Sequence, residues 1–347
     1  MNRSNIAKSG RTLSIMPTYT CPAACKDCGT LSSPQDHNKI SIETIKSAID
    51  QARTLDFVNV VFTGGEPTLR WRDLLEGIRY ASDAGFPTRV VTNAHWARTM
   101  ERAQRVIDAL VAAGLTEINF STGDEHVRFI PVDNIYNAIE SSFGTRMPIA
   151  LMIELRRERK VTRSAFEAHE RFRAFSKEDL KRLKITESPW MPLDPLTAGD
   201  YSGGIAATRE NVSTSLPCDN VMQTYVVEAD GRVASCCGLG MRMIPELNIA
   251  TVDEPQFLAK AIERAEDDFV KLMIRYWGPN RIVAWAAEKD PTILWEGMYA
   301  HHCQTCKRMY SDEKIKKIIR EHYKEAMTDV VFTEYLYEIH IPNMALE

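Results

Sequence analysis

Arg11-Thr12-Leu13-Ser14-Ile15-Met16-Pro17-Thr18-Tyr19-Thr20-Cys21-Pro22-Ala23-Ala24-Cys25-Lys26-Asp27-Cys28 is the stretch on which the reading of this chain turns. Residues 11–18 read as a short buried strand that runs into a C-x3-C-x2-C loop. Three cysteines in so short a loop can point their sulfurs at one inorganic centre. Structural zinc takes four protein ligands, and a fully ligated iron–sulfur cube takes four thiolates. A site of three thiolates therefore leaves one metal corner open to a ligand that is not protein. The competing reading pools two C-x2-C pairs, Cys25/Cys28 and Cys303/Cys306, into one zinc site.

Downstream of this loop the pattern alternates. Residues 41–55 read as an amphipathic helix capped by Ser41, with apolar positions at Ile42, Ile45, Ala48 and Ile49. Residues 57–62 (FVNVVF) form an apolar, β-branched run, as in a strand covered on both faces. Helices are expected at 69–84, 97–113, 132–141 and 166–182, and strands at 88–92, 117–121, 148–153 and 183–186. Six strand–helix repeats in the first ~190 residues indicate a parallel sheet with crossover helices. The repeat suits either a partial α/β barrel or an open doubly wound sheet. In both, ligands sit at the carboxyl ends of the strands.

The pattern changes after Tyr201-Ser202-Gly203-Gly204. Residues 224–228 and 232–236 flank Asp230-Gly231 and read as a β-hairpin. Helices are expected at 255–276 and 312–327, and the tail 330–347 is expected to pack back on the body.

Composition narrows the function classes. The 347 residues carry 43 Lys plus Arg against 47 Asp plus Glu, a net charge of −4, which gives no basic excess for nucleic acid. No window approaches 18 consecutive apolar residues, so no membrane span is expected, and the first 16 residues lack the apolar core of a secretory signal. A cytoplasmic protein is expected. Eight cysteines in such a chain point to metal or redox chemistry before disulfides.

The cysteine loop after the first strand, the α/β repeat, and Thr63-Gly64-Gly65-Glu66-Pro67 closing the second strand together resemble the radical S-adenosylmethionine (radical SAM) superfamily. The resemblance spans roughly residues 11–190. It implies an α/β fold, a partial (β/α)6 barrel followed by a small α+β auxiliary-cluster domain. It also implies that Cys21, Cys25 and Cys28 hold a [4Fe–4S] cluster whose open iron chelates S-adenosylmethionine. Reductive cleavage would then give a 5′-deoxyadenosyl radical that abstracts hydrogen from substrate. Such chemistry belongs to the cofactors, which the protein orients. Gly64, Gly65, Glu66 and Pro67 would lie along the cofactor's methionine part, although a Gly-Gly turn ahead of a helix has the same sequence. By the same resemblance Asn93, after the third strand, and Ser121, in Ser121-Thr122-Gly123-Asp124, reach the cofactor; both also suit plain turn chemistry. His126 follows where relatives often carry a histidine, and a satisfied loop histidine is the alternative.

The second cysteine group resembles the SPASM domain and its shortened form, twitch: Cys218, twelve residues, Gly231, four residues, Cys236, then Cys303-x2-Cys306. The resemblance implies that Cys218, Cys236, Cys303 and Cys306 hold one auxiliary [4Fe–4S] cluster. His301 and His302 are further candidate ligands. Cys237 is left over, either as a small neighbour interchangeable with Cys236 or as a hydrogen donor. Neighbours on a strand face opposite ways, so if Cys236 faces the cluster, Cys237 faces elsewhere. Radical SAM peptide epimerases use a cysteine thiol to return a hydrogen atom. The expected units are 1–205 (partial barrel), 206–310 (auxiliary domain) and 311–347 (helix and tail).

The basic run Leu155-Arg156-Arg157-Glu158-Arg159-Lys160 reads as a solvated loop or an anion grip. Trp190, Trp277, Trp285 and Trp295 line a cavity or fill the core. The resemblance implies an oxidoreductase-type enzyme with a ribosomally made peptide as substrate (a maturase that epimerises or crosslinks) and a reductant such as flavodoxin or ferredoxin. A small-molecule dehydrogenase of the sugar-alcohol type is the runner-up, and a zinc-binding interaction protein the remote third. With 20 residues ahead of Cys21, a leader-binding domain is expected on a separate protein or not at all.

Overall fold

The computed structural model describes residues 10–199, 201 and 204–344. Residues 1–9 of the stretch read above for a signal, and Ser202 and Gly203 at the expected boundary, lie outside them.

The first half alternates as expected: β1 (Arg11–Ile15), α1 (Ile42–Thr54), β2 (Phe57–Phe62), α2 (Trp71–Asp83), β3 (Thr88–Thr92), α3 (Met100–Ala112), β4 (Glu117–Thr122), α4 (Val132–Phe143) and β5 (Ile149–Leu155). Three short helices follow, α5 (Arg163–Ala168), α6 (Glu170–Arg173) and α7 (Lys177–Leu180), and then β6 (Leu183–Pro189). Strands β1 to β6 pair in parallel, each with the next in sequence, and the sheet stays open. This is the partial barrel, not the doubly wound alternative. Local chemistry starts several of the helices: Ser41 accepts the Thr44 amide ahead of α1, and Thr99 accepts the Arg102 amide ahead of α3. The apolar stripe of α1, Ile45, Ala48, Ile49 and Ala52, is fully buried on the sheet.

Along each strand alternate side chains go to helices and to the barrel interior. On β4, Ile118, Phe120 and Thr122 are buried under the helices, while Ser121 lines the interior cavity. Ser14, Val61, Val91 and Met152 line that cavity from β1, β2, β3 and β5.

The second half is β7 (Thr224–Val227), β8 (Arg232–Ala234), β9 (Asn248–Thr251), α8 (Phe257–Glu266), α9 (Phe269–Tyr276), α10 (Pro279–Lys289), α11 (His302–Ser311) and α12 (Glu313–Met344). The β7–β8 hairpin forms at Asp230-Gly231 as read. It extends the barrel's own sheet, because β7 adds in parallel to the free side of β1, giving the order β6-β5-β4-β3-β2-β1-β7-β8-β9. Arg11 of β1 donates to Glu266 of α8 at 2.8 Å, a second tie across the seam. No described helix is long and apolar enough to cross a membrane.

Several expectations are corrected. The helix expected at 166–182 is three pieces, because His169 and Ser176 take extended backbone angles and their side chains cap new helices by accepting the Arg171 and Asp179 amides. The helix expected at 255–276 breaks at Asp268, which accepts the Val270 and Lys271 amides and pairs with the buried Lys271 ammonium. The tail 330–344 is not a separate segment but the end of α12, with Val330 buried in the core and Val331, Phe332 and Tyr335 exposed; residues 345–347 of the expected tail lie outside the described residues. Strand β9 and helices α10 and α11 have no counterpart among the expected elements.

Tyr225 on β7 is fully buried and meets Phe57 of β2 edge-on, with centroids 6.0 Å apart. Truncation of such an aromatic costs about 3–5 kcal/mol. Tyr225→Ala is expected to destabilise the chain by that much in urea titration, with near-UV and far-UV signals still moving together, since the seam belongs to both halves.

Candidate functional site

The cysteine loop is seated by its backbone. Past the end of β1 and β2 the pairing continues: the Thr63 amide donates to Ile15 O, that of Gly65 to Thr18 O and that of Glu66 to Thr20 O, all at 2.9 Å. This approach needs glycine, since a Cβ on Gly65 would lie 2.3 Å from Thr20 O and Gly64 has φ +112°. The result is a cavity of about 480 Å³ at the carboxyl ends of the strands. Cys21, Cys25 and Cys28 line it, together with Gly64, Gly65, Asn93, Ser121 and His126. All three cysteines are free thiols. Burial pushes Cys21 and Cys25 up to about 12, and the neighbouring thiols push in the same direction. Thiols gathered in this way ionise only when positive charge is placed among them. The Asn93 amide donates to Cys21 Sγ at 3.4 Å.

Glu66 and Pro67 are turned away from the cavity lining, and both are buried. The Glu66 carboxylate is engaged within the protein: Oε1 accepts from the Thr68 and Thr92 hydroxyls at 2.5 and 2.8 Å, and Oε2 from the Asn93 amide at 2.9 Å. It therefore fixes the end of β3, and with it Asn93, against the turn after β2.

On the opposite wall His126 is held by a partner that the sequence did not reveal. Its Nδ1 lies 2.6 Å from Oε1 of Glu154, a carboxylate on β5 that also takes the Glu125 and His126 amides. Glu154 is only 1% exposed. Trp190 meets the His126 ring edge-on at 5.6 Å, donates to Lys26 O and lines the cavity. Trp277 and Trp295 are buried in the core, and Trp285 packs against Trp277. The basic run is tied up locally, Arg156 with Glu125, Arg157 on Tyr201 O and Arg159 with Glu187.

The second cysteine group divides. Cys218, Cys236, Cys303 and Cys306 line a separate small pocket walled by Ile274, Leu247 and Met241. Cys303 and Cys306 project from α11 one turn apart. A Cβ on Gly238 would lie 3.0 Å from Cys303 Sγ and 3.1 Å from Cys236 Sγ, so the backbone there cradles both sulfurs. Burial pushes Cys303 up to about 12 and raises Cys236 and Cys306 well above the ordinary thiol value. His302 lines this pocket, while His301 caps α11 by accepting the Cys303 amide at 3.1 Å. Cys237 leaves the group: it lines the large cavity with the loop cysteines, and its thiol donates to Asn220 Oδ1 at 3.2 Å. The pooled zinc site is thereby corrected, because Cys25/Cys28 and Cys303/Cys306 line different pockets, with Leu239 belonging to both linings. Among the described residues no three His, Cys, Asp or Glu side chains converge as a single-ion site.

Comparison with known proteins agrees with this geometry. Residues 15–140 match the model of the radical SAM superfamily. A PqqA peptide cyclase of Bradyrhizobium diazoefficiens is 30% identical over 105 residues, which is 30% of this chain and 26% of that protein. The chain thus matches about a quarter of that relative's length. Among solved structures, native anSMEcpe with bound AdoMet and Cp18Cys peptide superposes with a TM-score of 0.53 at 12% identity, covering 94% of this chain and 99% of that one. A hexahistidine-tagged form of anSMEcpe with bound AdoMet gives 0.52 at 12% identity, over 92% and 98%. The open parallel sheet, its strand-end cavity and the sequence match together identify residues 15–140 as a radical SAM domain.

Proposed function

We propose that this chain is a radical SAM enzyme that modifies a peptide, and that the modification is epimerisation. A radical SAM domain implies S-adenosylmethionine and a [4Fe–4S] cluster. The first site fits them: three unpaired thiols, of which Cys21 and Cys25 are held against ionisation by burial, beside a glycine turn that leaves backbone bare. Cys21, Cys25 and Cys28 would hold the cluster, and Gly64, Gly65, Asn93 and Ser121 would contact the S-adenosylmethionine. The second pocket fits an auxiliary cluster on Cys218, Cys236, Cys303 and Cys306, four thiols around an apolar void. When bound, the first cluster and its ligand supply a radical that removes hydrogen from an unactivated carbon.

The observation that carries the epimerisation reading is the position of Cys237. It is the one thiol of the second group on the wall of the large cavity, with its S–H held by Asn220. There it can hand a hydrogen atom to a substrate carbon: the S–H bond breaks, a C–H bond forms, and the sulfur then takes up one electron and one proton. The electron comes from the external reductant, a flavodoxin or ferredoxin. The peptide as substrate is supported by the similarity to a peptide cyclase.

Anaerobic reconstitution and reduction with S-adenosylmethionine should yield 5′-deoxyadenosine with about eight irons per chain. Changing Cys21, Cys25 and Cys28 together to Ala should abolish it, and persistence of cleavage would remove the first site from the mechanism. Cys303→Ala should lose about four irons and keep the rest. Cys237→Ala should keep all the iron while product formation stops; iron loss would make it a ligand. In D2O an epimerised peptide gains one deuterium, whereas a crosslinked one is two hydrogens lighter.

A further inference from the structure

The segment running from Cys236 to Met243 passes between the two cysteine sites, and its arginine reaches back to the first. Gly240 donates its amide to Gly29 O, one residue beyond Cys28. Two residues on, Arg242 projects across the cysteine loop with its side chain 12% exposed. Its Nη1 donates to Thr30 O at 2.8 Å and to Leu31 O at 3.1 Å. Its guanidinium carbon stands 3.3 Å from the ring centroid of Tyr19, two residues before Cys21. Tyr19 is fully buried and donates through Oη to Glu228 of the β7–β8 hairpin at 2.5 Å. One side chain from the second half thus grips both ends of the loop that carries Cys21, Cys25 and Cys28.

The grip reaches the sulfur through Thr30. The Thr30 hydroxyl lies 3.4 Å from Cys28 Sγ and 3.1 Å from Gly64 O, within donating distance of either, and 2.9 Å from the Ser32 hydroxyl, from which it can accept. Leu31, whose carbonyl Arg242 also holds, has φ +53° and closes the turn with its amide on Cys28 O at 2.9 Å. Charge-assisted bonds to two carbonyls, with the cation face-on to a buried ring, are among the stronger polar contacts a protein makes. Groups that hydrogen-bond a ligating sulfur, and those that orient them, tune a cluster's affinity and potential.

We propose that Arg242 is a positioning residue for the first cysteine site, acting through Thr30 on Cys28 and Gly64 and through Tyr19 on the start of the loop. The inference rests on the reading of Cys21, Cys25 and Cys28 as the cluster site. It makes the segment that carries Cys236 and Cys237 a determinant of how the other site binds S-adenosylmethionine.

The test uses the full chain, anaerobically reconstituted, with S-adenosylmethionine as probe. Arg242→Gln should keep wild-type iron content but raise the dissociation constant about tenfold or more, in the range for lost outer-shell partners. The electron paramagnetic resonance change on adding the probe to the reduced protein should also alter. Thr30→Val should reproduce the spectral effect, and Thr30→Ser, which keeps the hydroxyl, should restore the wild-type response. Wild-type affinity and spectrum in Arg242→Gln would overturn the proposal. If that variant does not fold, a wild-type response in Thr30→Val overturns it instead. Failure of the wild-type protein to take up iron at Cys21, Cys25 and Cys28 would sink the cluster reading itself, which is a different result.

Discussion

The cavity depends on how closely two backbones approach beyond the ends of β1 and β2. Regular pairing of the two strands ends at Ile15 and Phe62. Beyond it come three more amide–carbonyl bonds, from Thr63, Gly65 and Glu66 to Ile15, Thr18 and Thr20. Only an absent Cβ at Gly65 permits it. The cysteine loop is then not a free surface loop but an extension of the sheet, and Glu66 passes the constraint on to Thr92 and Asn93 at the end of β3. Buried groups of this kind are costly if left unpaired. The network around Glu66 is satisfied at both carboxylate oxygens, so it holds the strand ends in a single arrangement.

The second constraint is the seam at β1. An open parallel sheet leaves one edge of its first strand unpaired, and β7 fills it. Because the hairpin follows directly, the segment after β8 is delivered across the barrel mouth beside the cysteine loop. Strand β8 ends at Ala234, and just past it the chain sends Cys236 to one pocket and Cys237 to the other, with Leu239 in the lining of both.

Much of this was legible in the sequence, for identifiable reasons. FVNVVF at 57–62 and TRVVT at 88–92 are strands at the boundaries read from their apolar runs, and Asp230-Gly231 makes the hairpin it promised. Cys236 and Cys237 do line different pockets, although β8 ends at Ala234 and neither lies on the strand expected at 232–236. What stayed hidden was long-range or capped from within. His169, Ser176 and Asp268 start new helices inside stretches whose apolar spacing looked continuous. Helix α11 escaped because its buried side is mostly polar, Gln304, Thr305, Lys307 and Arg308 with Met309, rather than an apolar stripe. The pairing of His126 with Glu154 joins residues at the ends of successive strands, 28 positions apart, and Arg242 meets Thr30 across 212. No local pattern encodes such contacts; they arise from the order of strands in the sheet.

The size and lining of the cavity bear on what enters it. About 480 Å³ lies toward the low end of the range for pockets that enclose a small ligand. Its strand-borne walls are Thr12, Ser14, Val61 and Val91, beside the longer Met16, Arg89 and Met152. A cavity of this size takes a small molecule or a short stretch of chain, not a folded domain. Anything longer must lie across the mouth, where Trp190 stands with Arg156 over its ring. Under the proposed function, that geometry suits a peptide offering one side chain or one α-carbon at a time to the space between the loop cysteines and Cys237.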